Sequence, residues 1–332
     1  MAVTEIPWGD GSSDKIYLTD ASASGDQEIL VSSDANTGFS SRSKVVTFST
    51  GNISEQLTVS QVAGREPLPG EDEYFWCYYD ITTTSSATRI LGNTTAITGN
   101  MIVDGEEKML ATSYTFPTTG RHLVKFKYSG GTLNKTFSNT SITTMKELYF
   151  PGVPVTLNST NSNSPVYDIR SQVKIVVNDE LSNMLCFNYN QPTTLNIEIE
   201  IYKLKSWTLA RSTNCIKNLT VKGTFTSIPS NSLIGFNGTN CYRNIWIESP
   251  NLTTFNGDAF RNMSAIETIV VNVNTPPSLT GSNVWGNTNS TFKLYVPYSS
   301  DHSILNAYKQ TSKWSSRASQ IYELTSDGKI PT

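Results

Sequence analysis

The sequence predicts a mainly β chain, in which a small β-sandwich and a β-rich capping module lead into a repeat solenoid closed by a helical end. Three observations predict it. One five-residue apolar signature recurs seven times between Lys146 and Pro297. Ahead of it, short runs rich in Val, Ile, Thr, Tyr and Phe are separated by Gly, Asn and Asp turn signals, the pattern of paired strands. Behind it, Ile304, Leu305, Tyr308 and Trp314 fall on a rough helical period.

Composition narrows the function before any motif does. Charged residues make up 16% of the 332, with 25 Lys and Arg against 28 Asp and Glu. No basic stripe exists to neutralise phosphates, so nucleic acid is not an expected partner. No run approaches the roughly 18 apolar residues of a membrane helix, so no membrane contact is expected. The opening MAVTEIPWGD has neither a basic n-region nor an apolar h-region, and a chain made and assembled in a cytoplasm is expected. His122 and His302, the two histidines, stand beside no nucleophile elbow. Cys77, Cys186, Cys215 and Cys241 lie far apart without a CxxC pair, and Cys215 and Cys241, one repeat length apart, read as small buried thiols at equivalent repeat positions. No glycine-rich phosphate loop separates a strand from a helix. The expectation is a protein with no reaction, no metal and no cofactor.

In chain order, residues 1–13 are glycine-broken, and Ile6, Pro7 and Trp8 form an apolar plug read as a docking peptide for another subunit. An exposed Trp is costly to leave in water. Residues 14–64 hold four strand candidates, KIYLT, EILVSS, KVVTFS and EQLTVSQ, in a space that allows only a small immunoglobulin-like (Ig-like) sandwich. SSDANTGFSSRSKVVTFST (32–50) followed by QLTVSQVAG (56–64) resembles the BACON-type Ig-like module. That resemblance implies a carbohydrate- or mucin-associated domain of gut Bacteroidetes and their phages. Residues 65–73 read as a Pro/Gly and acidic linker. Residues 74–144 form the capping module, with strands at 74–82, 88–92, 100–108 and 121–129 and a hairpin turn at Val103-Asp104-Gly105. SYTFPTTGRHLVKFKYSG (113–130) resembles the short β module that seals the first repeat in BspA-like surface proteins. Such a seal is needed, because an open first repeat exposes its core.

The repeats occupy 145–300. KELYF, VKIVV, LNIEI, KNLTV, RNIWI, ETIVV and FKLYV centre on Leu148, Ile175, Ile197, Leu219, Ile245, Ile269 and Leu294, at steps of 27, 22, 22, 26, 24 and 25 residues. One strand per unit at a period in the twenties predicts a leucine-rich-repeat solenoid. After the fifth strand, Leu252, Phe255, Ala259, Phe260, Met263 and Ile266 are placed to pack inward from the return limb. LTTFNGDAF and the final LYVP closely resemble BspA-like leucine-rich repeats. Residues 301–332 are expected to form a C-terminal helical cap and tail.

Alternation puts the second and fourth residue of each signature outward. Tyr149, Asn218, Asn244, Trp246 and Tyr295 are the candidate interface or ligand face, an aromatic and amide mixture suited to a sugar ring or a protein partner. The opening TEIPWGDGSSDKIYLT, followed by the BACON-like module, resembles virion proteins of crAss-like gut bacteriophages. The resemblance implies a head fibre or decoration protein in the virion, with other capsid or tail proteins as partners and a repeat domain that either forms a homo-oligomer or adheres to a host-surface glycan. A BspA-like bacterial adhesin or carbohydrate-binding protein is the alternative.

Overall fold

The computed structural model describes residues 3–10, 12–19, 29–36, 42–50, 53–61, 67–139, 141–158, 163–166, 172–181, 197–204, 216–230, 232–233 and 242–331. The chain divides into two compact units, Met1–Leu68 and Pro69–Thr332.

In the first unit β1 (Val3–Pro7), β2 (Lys15–Thr19) and β3 (Leu30–Ser33) form an antiparallel sheet in that order, and β4 (Arg42–Thr50) pairs with β5 (Ile53–Gln61). Period-two burial in β2 sends Ile16 and Leu18 inward, where they meet Trp8 and Val46, with Ile6, Val31, Phe48 and Val59 packed around them. The expected docking peptide is therefore corrected. Ile6 and Pro7 belong to strand β1, and Trp8 is 4% exposed inside the core. An indole buries more apolar area than this unit gains from any other single residue, so it is drawn into its own chain's core.

Arg42 locks this unit together with a side chain only 7% exposed. Its guanidinium donates to Asp14 at 2.8 Å, to Asp10 at 3.3 Å, to the Asp34 carbonyl at 3.1 Å and to Gln61 Oε1 at 2.9 Å. It also sits 4.4 Å above the Trp8 ring. The Ser12 hydroxyl and amide donate to the Asp10 carboxylate and hold its pKa down to about 2. Truncation at Arg42 strands these acceptors. Arg42→Ala is expected to destabilise the unit, read as faster hydrogen exchange across 15–19 and 42–50. Unchanged exchange there refutes the central role given to Arg42.

The second unit begins with β6 (Tyr74–Ile81), β7 (Thr88–Arg89), β8 (Ile97–Val103), β9 (Glu106–Lys108), β10 (Ser113–Tyr114) and β11 (Gly120–Tyr128). The turn from β8 to β9 is the expected one, with Asp104 and Gly105 both at positive φ, as a two-residue hairpin requires. The parallel strands follow: β12 (Met145–Tyr149), β13 (Lys174–Val177), β14 (Ile197–Ile201) and β15 (Ile216–Lys222). After β15 come β16 (Ser227–Ile228), β17 (Asn244–Glu248), β18 (Thr254–Phe255), β19 (Thr268–Asn272), β20 (Ser278–Leu279) and β21 (Lys293–Val296). The chain ends with α1 (Ser303–Gln310) and β22 (Ile321–Glu323). One twelve-stranded sheet runs β22-β21-β19-β17-β15-β14-β13-β12-β6-β11-β8-β9, parallel from β22 to β12 and antiparallel beyond. The capping module and the repeats thus share one sheet and one apolar core, which reaches from Phe75 to Ile321.

Three expectations about this unit are corrected. The repeats form a β-solenoid of about five turns, and its described return limbs carry short strands, with β16, β18 and β20 making a second parallel sheet. Ile228 and Phe255 stack there beneath the main sheet, so extended limbs stand where leucine-rich repeats often place helices. The C-terminal helical cap is absent. Helix α1 stops where Thr311 turns extended, only a short 3-10 segment (Ser315–Gln320) follows, and β22 then extends the sheet in parallel with β21. The segment SSRASQ has no apolar stripe to bury, so a helix there gains nothing from packing. The third repeat is also out of register. Ile175 pairs with Ile199, not with Ile197, because the Ile197-Glu-Ile-Glu-Ile run fits its neighbour equally well two residues on.

Most other inward positions are as expected. Leu148, Ile175, Leu219, Ile245, Ile269 and Leu294 are buried, as are Leu252, Phe255, Ala259, Phe260, Met263 and Ile266 of one return limb. Cys77 is a free, buried thiol whose pKa is pushed up by desolvation, which keeps it protonated and inert. Cys186, Cys215 and Cys241 lie outside the described residues.

Candidate ligand-binding face

The parallel register aligns the outward residues in two columns across the strands. One runs Glu147, Lys174, Glu198, Asn218, Asn244, Thr268, Lys293; the other runs Tyr149, Val176, Glu200, Thr220, Trp246, Val270, Tyr295. The register correction is what brings Glu200 into the second column and Glu198 into the first. Asn196, expected outward in this rung, lies outside the described residues.

Neighbouring strands are about 4.8 Å apart, so like residues in a column can bond side by side. Asn244 Nδ2 donates to Asn218 Oδ1 at 2.8 Å, and Asn218 Nδ2 donates to Glu198 Oε1 at 3.3 Å. This ladder fixes both amide orientations and aims their remaining capacity away from the sheet. Glu200 is paired with Lys174 at 3.1 Å. The Trp246 indole donates to Glu248 Oε2 at 3.1 Å, which holds the ring over the sheet beside Val270.

Glu198, Glu200, Asn218, Thr220, Asn244 and Trp246 line a depression of about 260 Å³, together with Ile330 from the chain's tail. A shallow site with one aromatic plane and several fixed polar groups orients a small polar ligand. Three of the five expected face residues, Asn218, Asn244 and Trp246, meet here.

The other two do not. Tyr295 is in the outward column yet 4% exposed, packed with Val270 and Leu324 and 5.8 Å from the Tyr322 ring. The strand β22 and the chain beyond it cover this end of the face, which the expected helix would have left open. Tyr149 stands near the opposite end, donating to Glu147 Oε2 at 2.8 Å with the Tyr78 ring edge-on at 6.1 Å. Burial and then the bond to Glu147 push the Tyr149 phenol pKa up, so it remains a donor. Burial pushes the Glu147 carboxyl up, and hydrogen bonds from Arg121 and Tyr149 outweigh it, leaving it below its usual value. Arg121, 4.5 Å over the Tyr78 ring, completes this satisfied group. Ile330 was missed in the sequence, where a lone apolar residue in a polar tail carries no signal.

Among the described residues no cluster of three or more His, Cys, Asp or Glu is placed to hold a metal ion. Residues 12–62 match the family model BACON, described as "Putative binding domain, N-terminal". The match supports a BACON-type module over these residues. The match lies within the first compact unit and leaves the solenoid outside it. No curated protein and no solved structure matches the chain.

Proposed function

We propose that this chain is a non-enzymatic virion structural protein of a crAss-like gut bacteriophage, a capsid-attached head fibre or decoration protein. In this reading the BACON module anchors the chain to other virion proteins, and the solenoid presents an adhesive face to host-surface glycan. The depression beside Trp246 carries the adhesive part, because it offers a ring to stack on and amides already turned outward by their ladder. The commitment of Glu198 to Asn218 and of Glu200 to Lys174 supports binding in preference to acid–base chemistry. The virion placement rests on the resemblance of residues 4–19 and the BACON module that follows them. With Trp8 inside the core, attachment falls to the surface of the folded module instead of a loose leading peptide.

Two measurements test this. Mass spectrometry of purified virions is expected to find the chain; its absence from virions that infect normally rules the placement out and leaves the bacterial adhesin. Trp246→Ala is expected to weaken glycan binding by about 100-fold, the scale of an aromatic hot spot. Its melting temperature should shift by only about 2 °C. A large loss of stability with binding intact refutes the adhesive assignment of Trp246.

A further inference from the structure

The depression beside Trp246 does not stand alone. A second one, of about 390 Å³, is lined by Lys146, Lys174 and Lys217 with Glu147, and the two share Glu198 and Asn218. Together they cross six adjacent strands, from β19 to β12. At about 4.8 Å per strand that is roughly 24 Å, the reach of an oligomer and far more than one sugar ring.

The groove is closed at one end and open at the other. At the closed end the next outward residue, Tyr295, is already buried against Leu324. Beyond Leu324 the chain makes a tight turn, with the Thr325 amide donating to the Lys329 carbonyl at 2.8 Å and the Lys329 amide donating to Thr325 Oγ1 at 2.9 Å. This turn returns the tail across the face and brings Ile330, still 41% exposed, to the groove wall with Trp246. An apolar side chain is thereby added to the wall at the point where a ring can stack. Toward β12 the groove is lined only by β12 to β15 and the residues leading into them, with no residue of the tail.

Charge identifies the occupant. Lys174 is paired with Glu200, Glu147 with Arg121, and Glu198 accepts from Asn218. Carboxylates and lysines along the groove are balanced, so neither a polyanion nor a polycation gains from entering it. Fixed amides, hydroxyls, the Lys146 and Lys217 ammonium groups and one indole remain to be met by hydroxyl groups and a sugar face.

We infer that the solenoid binds a neutral linear oligosaccharide end-on, the terminal ring packed against Trp246 and Ile330 and the chain running over Asn218 and Glu198 toward Lys146. This rests on the adhesive reading above and adds ligand class, polarity and direction. The test titrates the full chain by calorimetry with neutral linear gluco-, manno- and xylo-oligosaccharides of two to six residues. Each is used free and carrying a bulky tag at one end or the other. Affinity is expected to rise with length, to change little between low and high salt, and to be abolished by a tag at one end only. Ile330→Asp is expected to lower affinity about tenfold. Removal of residues 326–332 is expected to make the blocked tag tolerable, while circular dichroism shows the sheet intact. Tolerance of tags at both ends by the unaltered chain, or affinity that does not grow beyond two residues, overturns the end-on assignment and leaves adhesion standing. Binding to none of the three series overturns both.

Discussion

Replacing Trp314 by Ala is expected to cost the second unit about 5 kcal/mol and lower its melting temperature by about 10 °C or more. Trp314 is fully buried and touches four rings, Phe255, Phe260, Trp285 and Tyr308, at centroid distances of 6.0, 6.2, 5.7 and 5.3 Å. Its indole donates to the Pro277 carbonyl at 2.7 Å. Truncation opens a cavity at the end of the core and leaves that carbonyl without its partner, and the two costs add. Trp314→Phe retains much of the packing and loses the hydrogen bond, so it should cost about 2 kcal/mol. Differential scanning calorimetry separates the variants. A shift below about 2 °C for Trp314→Ala would show that this residue does not close the solenoid.

Gly281→Ala is expected to destabilise the same unit by about 3 kcal/mol through a different mechanism. A Cβ at Gly281 falls against the Gly257 carbonyl and the Asp258 carboxylate of the preceding turn, inside any tolerable contact distance. The obstacle is mostly backbone, which cannot swing aside. The same two turns are bound by Gly257 N–H donating to Thr280 Oγ1 at 2.9 Å and Asn283 N–H donating to Asp258 Oδ1 at 2.8 Å. Spreading them breaks the stacking that buries Phe255 and Leu279. Urea denaturation should show a lower midpoint, and an unchanged midpoint would mean that the turns have slack.

The parts of this architecture that were legible are those in which a local pattern and the global fold agree. Ile245, Ile269 and Leu294 sit at the centre of a signature that recurs at steps of 24 and 25 residues and were placed inward correctly, and Asp104-Gly105 announced its hairpin by residue type alone. The misplaced third rung shows where alternation fails, since Ile197, Ile199 and Ile201 are interchangeable until a neighbour selects among them. The chain end fails for a related reason. Tyr308 and Trp314 were placed on one helix and are both buried, but spacing does not reveal that Thr311 breaks the helix or that Ile321 pairs with Leu294. Trp8 was misread because a glycine-rich flank marks a break in the chain and says nothing about where the indole goes. Of the candidate face, Asn218, Asn244 and Trp246 follow from a column rule. Glu200 required the true register, and Ile330 required the path of the tail.

The position of β6 between β11 and β12 carries a consequence for how the protein is made. The antiparallel partners β6 and β11 leave the ribosome before any parallel strand does, and β6 offers a ready edge to β12. Each later strand then finds its template already folded, in order of synthesis, so the solenoid can grow in one direction from a completed start. Nascent chains that end after β15 should already hold their first rungs.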